Sequence, residues 1–205
     1  MNTIAKTVEI VAGADIIKNF KILLQHGVFL DLDKSLPLKV FLLERCGISG
    51  PVLTDKIKTI FLNSRPVDDI EMADISSGDS LGLSGAMPGL VGAVFRQKSI
   101  FSSFRETITY SKDTGGKSNI LEPGMVLLKV FNTAMDAVAQ TLFARGVYVP
   151  AETFTGIFKT TVGFLQSGSV SMKLEGKKVK NRNILNELMS VDNELLYLVV
   201  HEDHG

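Results

Sequence analysis

Ile57-Lys58-Thr59-Ile60-Phe61-Leu62-Asn63-Ser64-Arg65-Pro66-Val67 decides the fold class. A run of β-branched, aromatic and aliphatic residues meets a short turn of small and polar residues, then resumes. That is the signature of a hairpin, and a hairpin joins antiparallel strands. Working outward, further strands are expected at 7–11, 28–32, 81–84 and 90–96 in the first half, and at 125–130, 170–174 and 195–200 in the second. The stretch 99–110 also reads as a strand, with Ile100, Phe104, Ile108 and Tyr110 on one face and Arg105, Thr107 and Thr109 on the other.

Helices fall between these strands. Ile16, Ile17, Phe20, Leu23 and Leu24 make one apolar face over 15–25, with Asp15 to start the helix and Gly27 to close it. A second helix opens near Pro37 and ends before Gly47. A third starts at Thr133, carries Met135, Val138, Leu142 and Phe143 on one side, and stops at Gly146. A fourth opens at Pro150, with Phe154, Ile157, Phe158 and Leu165 sharing a side. Helices and strands mix without regular strand–helix–strand alternation. The expected class is therefore α+β, hairpin-rich, with mixed, mostly antiparallel sheets and about four or five helices.

With 205 residues the chain suits one domain or two small ones. The polar, Gly-bearing stretch 112–124 marks a loop or boundary between an α+β subdomain at 1–111 and a smaller one at 125–205. One short similarity crosses that boundary. Ile60-Phe-Leu-Asn-Ser-Arg-Pro-Val67 and Met172-Lys-Leu-Glu-Gly-Lys-Lys-Val179 share a strand, a turn with a small residue, a basic residue and a valine. A duplicated hairpin–connection–strand unit would explain the match, but chance is the better account, because hairpins in general look like this.

The stretch 58–83 resembles part of a β-grasp fold, as in small sulfur-carrier and ubiquitin-like proteins. The resemblance implies a local topology. Those carriers act through a C-terminal Gly-Gly, whereas this chain ends His-Glu-Asp-His-Gly, so no activity is implied.

Composition excludes several classes. Twenty-two basic residues balance 22 acidic ones, and 45% of the chain is apolar, which is not the profile of a disordered chain or of one basic throughout for nucleic acid. A single cysteine excludes a disulfide framework and any multi-cysteine metal site. The first residues lack an uninterrupted apolar core for a signal peptide, so a cytoplasmic location is expected. The uncharged run 80–95 is too short and too rich in Gly, Pro and Ser to span a membrane.

Apparent motifs mostly have plainer explanations. Gly116-Lys117-Ser118 imitates the end of a P-loop, but Ser111 stands where the loop needs a small residue, normally glycine, and Pro123-Gly124 interrupts the helix that must follow. Asp113-Thr114-Gly115 occurs once, while aspartic-protease chemistry needs two carboxylates sharing one proton. The acidic cluster Asp68, Asp69, Glu71, Asp74 and Asp79 matches no calcium loop, and exposed turns commonly carry such residues. His201 and His204 read as tail, His26 as a helix-end residue, and Cys46 as a buried inert thiol. The basic stretch 173–182 lacks the aromatic residues of single-strand binders.

The Gly-rich run from Leu81 to Phe95 is different. Met87-Pro88-Gly89-Leu90 suits a type II turn, which makes 81–96 a hairpin whose glycines let backbones or a ligand approach. Gly85, Met87, Pro88, Gly89, Leu90 and Arg96 are accordingly the expected ligand- or partner-binding residues, with Arg96 as an anion partner. No metal or cofactor is expected, and no reaction class follows from the sequence. The expected function is a non-catalytic binding or self-assembly module forming a homo-oligomer, with a small-molecule or protein partner. The alternative is a small enzyme or ligand-binding protein with a cleft between the two halves.

Overall fold

The computed structural model describes residues 5–13, 18–111, 124–165, 170–179 and 195–203. Strand β1 (Lys6–Ala12) buries Val8, Ile10 and Ala12, as its alternation dictates. Helix α1 (Ile22–His26) follows, and its amide ladder ends where Gly27 N–H donates to the Leu23 carbonyl (2.9 Å) with φ at +118°. Strand β2 (Val28–Asp31) leads to the short β3 (Leu36–Pro37). Helix α2 is an α-helical turn, Leu38–Val40, continued by a π-helical turn, Phe41–Arg45, burying Leu38, Phe41 and Leu42. Helix α3 (Gly50–Asp55) is capped by Ser49, whose hydroxyl accepts from Val52 N–H. The opening hairpin is formed as its residues dictate, from β4 (Thr59–Leu62) and β5 (Arg65–Pro66). Asn63 and Ser64 both take positive φ (50° and 66°), the condition for a two-residue turn matched to strand twist. After β6 (Asp74–Ile75), which pairs with β3, the chain enters β7 (Ser80–Ser84).

Two corrections follow β7. The run expected as a Gly-rich hairpin is a helix, α4 (Gly89–Phe95), preceded by extended Pro88. Proline without an N–H suits the position just before a helix, and Gly92 can pack closely because it has no Cβ. The stretch 99–110, expected as a strand, instead holds a 3₁₀ helix, α5 (Ser102–Ile108). Then come β8 (Met125–Phe131), α6 (Thr133–Arg145), β9 (Val147–Pro150), α7 (Ala151–Leu165), the hairpin β10 (Ser171–Leu174) and β11 (Lys177–Lys178), and β12 (Leu195–Glu202). The described residues thus hold seven helical segments rather than four or five, within the expected mixed-sheet α+β class. The additional ones are short, and short helices carry too few turns to show a periodic apolar face.

The chain divides into two compact units, 1–28 with 139–205, and 29–138. The first unit is built from two separate stretches and the second from one; the stretch 112–123 of the expected boundary lies outside the described residues. The first unit carries strands in the order β11-β10-β1-β12-β9, and the second β2-β8-β7-β4-β5. In the first, β1 runs antiparallel to β10 and parallel to β12. In the second, β7 runs antiparallel to β4 and parallel to β8. Each set of five strands therefore has a hairpin at one end of its order and a parallel pair within it.

The two halves of the chain also repeat one order of elements. Strand, helix, glycine, strand, helix, hairpin and strand run from β1 to β7, where β3, α3 and β6 are additions, and again from β8 to β12. Gly27-Val28 and Gly146-Val147 occupy the same place in each, both glycines with positive φ. The second hairpin turns on Glu175 and Gly176 (φ 50° and 73°), the counterpart of Asn63 and Ser64. The short match between 60–67 and 172–179 thus falls on equivalent edge hairpins. The first strand of each half pairs, in parallel, with the last strand of the other: β1 with β12, and β8 with β7.

Candidate functional site

Asp68 and Arg105 organise the surface of the second unit. Among the described residues Arg105 is the largest fully buried side chain, only 1% exposed. Nε donates to the Val94 carbonyl (2.7 Å), Nη1 to Asp68 Oδ2 and Thr109 Oγ1 (2.9 Å each), and Nη2 to Asp68 Oδ1 (2.6 Å) and the Arg96 carbonyl (3.3 Å). Guanidinium has five N–H donors, and all five are used. Arg105 therefore binds the end of α4, the turn after it and the 3₁₀ helix to one carboxylate. This is why 99–110 does not become a strand: turning Arg105 outward as a strand residue would forfeit that network, whereas a 3₁₀ turn points it inward.

The same network sets the course of Arg96, Gln97 and Lys98. Gln97 N–H donates to the Lys58 carbonyl (2.9 Å) and its amide to the Val67 carbonyl (3.3 Å). Lys98 N–H donates to Asp68 Oδ1 (3.2 Å), with Lys98 at φ +52°. The backbone and Gln97 point inward, leaving the Arg96 and Lys98 side chains exposed.

These residues line a cleft of about 580 Å³ within the second unit. Leu43 of α2, Leu53 of α3, Ile57 and Ile70 supply its apolar lining. Lys39, Lys58, Arg96 and Lys98 line it with cations, and Asp68, Asp69 and Glu71 with carboxylates. Arg96 and the acidic cluster, separate in the sequence, are thus brought into one place. The carboxylates are engaged. Asp68 holds Arg105, Asp69 Oδ1 accepts from Glu71 N–H (2.9 Å), and Glu71 pairs with Lys39. Asp79, at the end of the cluster, is instead a brace for the first hairpin. It accepts from Asn63 Nδ2 (2.8 Å) and from Ser76 N–H (2.7 Å).

The other expected site residues have distinct positions. Gly85 is buried against Thr133 at the start of α6, where a Cβ would overlap the Thr133 hydroxyl. Met87 offers its carbonyl to the space beside Gly92, where a Cβ would again overlap. Pro88 and Gly89 are exposed at the entry to α4, and Leu90 is 72% exposed on it. Of the six, only Arg96 lines the cleft. Gly85, Met87 and Gly92 set how the helix packs, while Leu90 presents an apolar surface.

The sequence reading missed the surface that Leu90 belongs to. Among the described residues, five of the seven exposed large apolar side chains fall in one stretch of chain, while Met72 (62% exposed) and Ile22 lie elsewhere. Leu90 and Val91 lie on α4, Ile100 (87% exposed) in the turn after it, and Phe104 (77% exposed) and Ile108 on α5. The signal was present as the 100, 104 and 108 spacing, but alternation placed these residues on one face of a strand.

The remaining motifs divide between the described and undescribed residues. The Asp113 and Lys117 tripeptides and His204 lie outside the described residues. Cys46 is buried and forms no disulfide. His201 lies in β12, and Lys173 of the basic hairpin pairs with Glu9 (3.0 Å). Among the described residues no group of three or more His, Cys, Asp or Glu side chains is placed to hold a metal ion, and no helix is long and apolar enough to cross a membrane. No family model, curated protein or solved structure matches this chain.

Proposed function

We propose that this chain is a non-catalytic binding or self-assembly module that uses the surface of α4 and α5, from Leu90 to Ile108, to meet a second copy of itself. The observation that supports this is the concentration of Leu90, Val91, Ile100, Phe104 and Ile108 in solvent on one stretch. Large exposed apolar residues scattered singly need no explanation, but a cluster of them on a soluble surface suits an interface. The segment is held as a rigid platform by Arg105, so little ordering entropy would be lost on association. A balanced net charge adds no repulsion between copies.

Native mass spectrometry and light scattering on the full chain test the reading. An oligomer is expected, and Leu90→Asp with Phe104→Asp is expected to convert it to monomer while its circular dichroism is retained. Burying one such side chain contributes about 1.5–3 kcal/mol, so each substitution should weaken association at least tenfold. A monomeric wild-type chain at micromolar concentration ends the self-assembly reading.

A further inference from the structure

We propose that the cleft between Leu53 and Arg96 is a binding site for a small organic anion with an apolar body. Its volume of about 580 Å³ falls within the range of pockets that take small molecules, roughly 300–1,000 Å³. Four cationic side chains line it against three carboxylates, and Arg105 already neutralises one of those three from behind. Each carboxylate accepts a bond from within the protein, whereas among the described residues the Arg96 guanidinium and the Lys98 ammonium have no partner. The cleft thus offers unspent positive charge beside an apolar wall of Leu43, Leu53, Ile57 and Ile70.

The charge is also held in place. The Arg96 carbonyl, the Gln97 N–H and the Lys98 N–H are each hydrogen-bonded, so the backbone carrying both cations is fixed. Lys98 adopts a positive φ that a non-glycine residue takes at some cost, and the Asp68 bond to its N–H maintains it. A fork-shaped guanidinium with a neighbouring ammonium on a fixed backbone suits a carboxylate or phosphate group, which it binds through paired N–H donors. The apolar wall then selects a ligand with a hydrocarbon or aryl body over a bare inorganic anion.

Isothermal calorimetry on the full chain uses octanoate, phenyl phosphate, inorganic phosphate and neutral octanol as probes. Octanoate or phenyl phosphate is expected to bind, with inorganic phosphate and octanol at least tenfold weaker. Whichever of octanoate and phenyl phosphate binds more tightly identifies the anionic group. Arg96→Gln is expected to weaken that binding about tenfold and Lys98→Gln severalfold, without altering the unfolding midpoint of the free protein. Absence of binding by either amphipathic anion at millimolar concentration overturns the proposal, and so does unchanged affinity in Arg96→Gln. Equal affinity for inorganic phosphate overturns the role of the apolar wall. The oligomeric state of Arg96→Gln is read separately by native mass, so loss of ligand binding is distinguishable from failure of the assembly reading.

Discussion

Arg105 shows how one side chain can overrule a local pattern. Its five donors are all matched, and removing it would strand the Val94 and Arg96 carbonyls together with Asp68. Breaking a buried charged network by deleting one partner costs about 3–5 kcal/mol in well-buried cases. Asp68 is 32% exposed, so water relieves part of that cost. Arg105→Met is therefore expected to lose about 2–4 kcal/mol in urea unfolding, and limited proteolysis should become faster between 89 and 110. Unchanged stability would mean that the network merely decorates a segment held by other contacts. A pair of glycines makes a second test. Gly146 sits at φ +89°, and an added Cβ would overlap the Tyr197 ring, whose hydroxyl donates to the Arg145 carbonyl (3.1 Å). Gly89 sits at φ +76° with open space around it. Gly89→Ala should cost about 1 kcal/mol from backbone strain alone, and Gly146→Ala clearly more, because steric overlap adds to the strain. Equal costs for the two would show that the Tyr197 contact yields easily.

At the scale of elements, the strongly patterned segments were legible and the Gly-rich one was not. The helices at 133–145 and 151–165 and the strands at 6–12, 125–131 and 195–202 carry long apolar periods, and a long period fixes one buried face. The run 85–96 carries no period. Met87-Pro88-Gly89-Leu90 satisfies a type II turn as well as it satisfies an extended lead into a helix, since proline serves both. Tertiary contact decided between them: Gly92 lies against the Met87 carbonyl where no side chain could, and Phe95 packs its ring on Phe61 of β4 (centroids 5.4 Å apart). Gly92→Ala must push α4 away from Met87. It is expected to cost about 2 kcal/mol and to weaken any association through Leu90, as read by thermal unfolding and native mass. Retained association at reduced stability would separate the packing of the helix from the surface it presents.

Over the whole molecule, the repeated order of elements is joined by exchange. β1 stands between β10 and β12, far from it in sequence, while its chain neighbour β2 belongs mainly to the other unit. Ile10 is fully buried, so Ile10→Ala is expected to cost about 2–4 kcal/mol. Hydrogen exchange should then rise in β10 and β12 before β4 and β7; a first rise in β4 and β7 would contradict the pairing. By itself, the sequence determined the α+β class, the alternating strands other than 99–110, the long helices and the hairpin turn at 63–64, because each depends on spacing within one short segment, and it determined the neutral charge through composition. Only the tertiary structure decided the inward turn of Arg105, the helix at 89–95, the meeting of Arg96 with the acidic cluster, and which strand completes which sheet. These rest on contacts between residues distant in the chain, and a buried guanidinium or a side-chain-free approach has no local period to announce it.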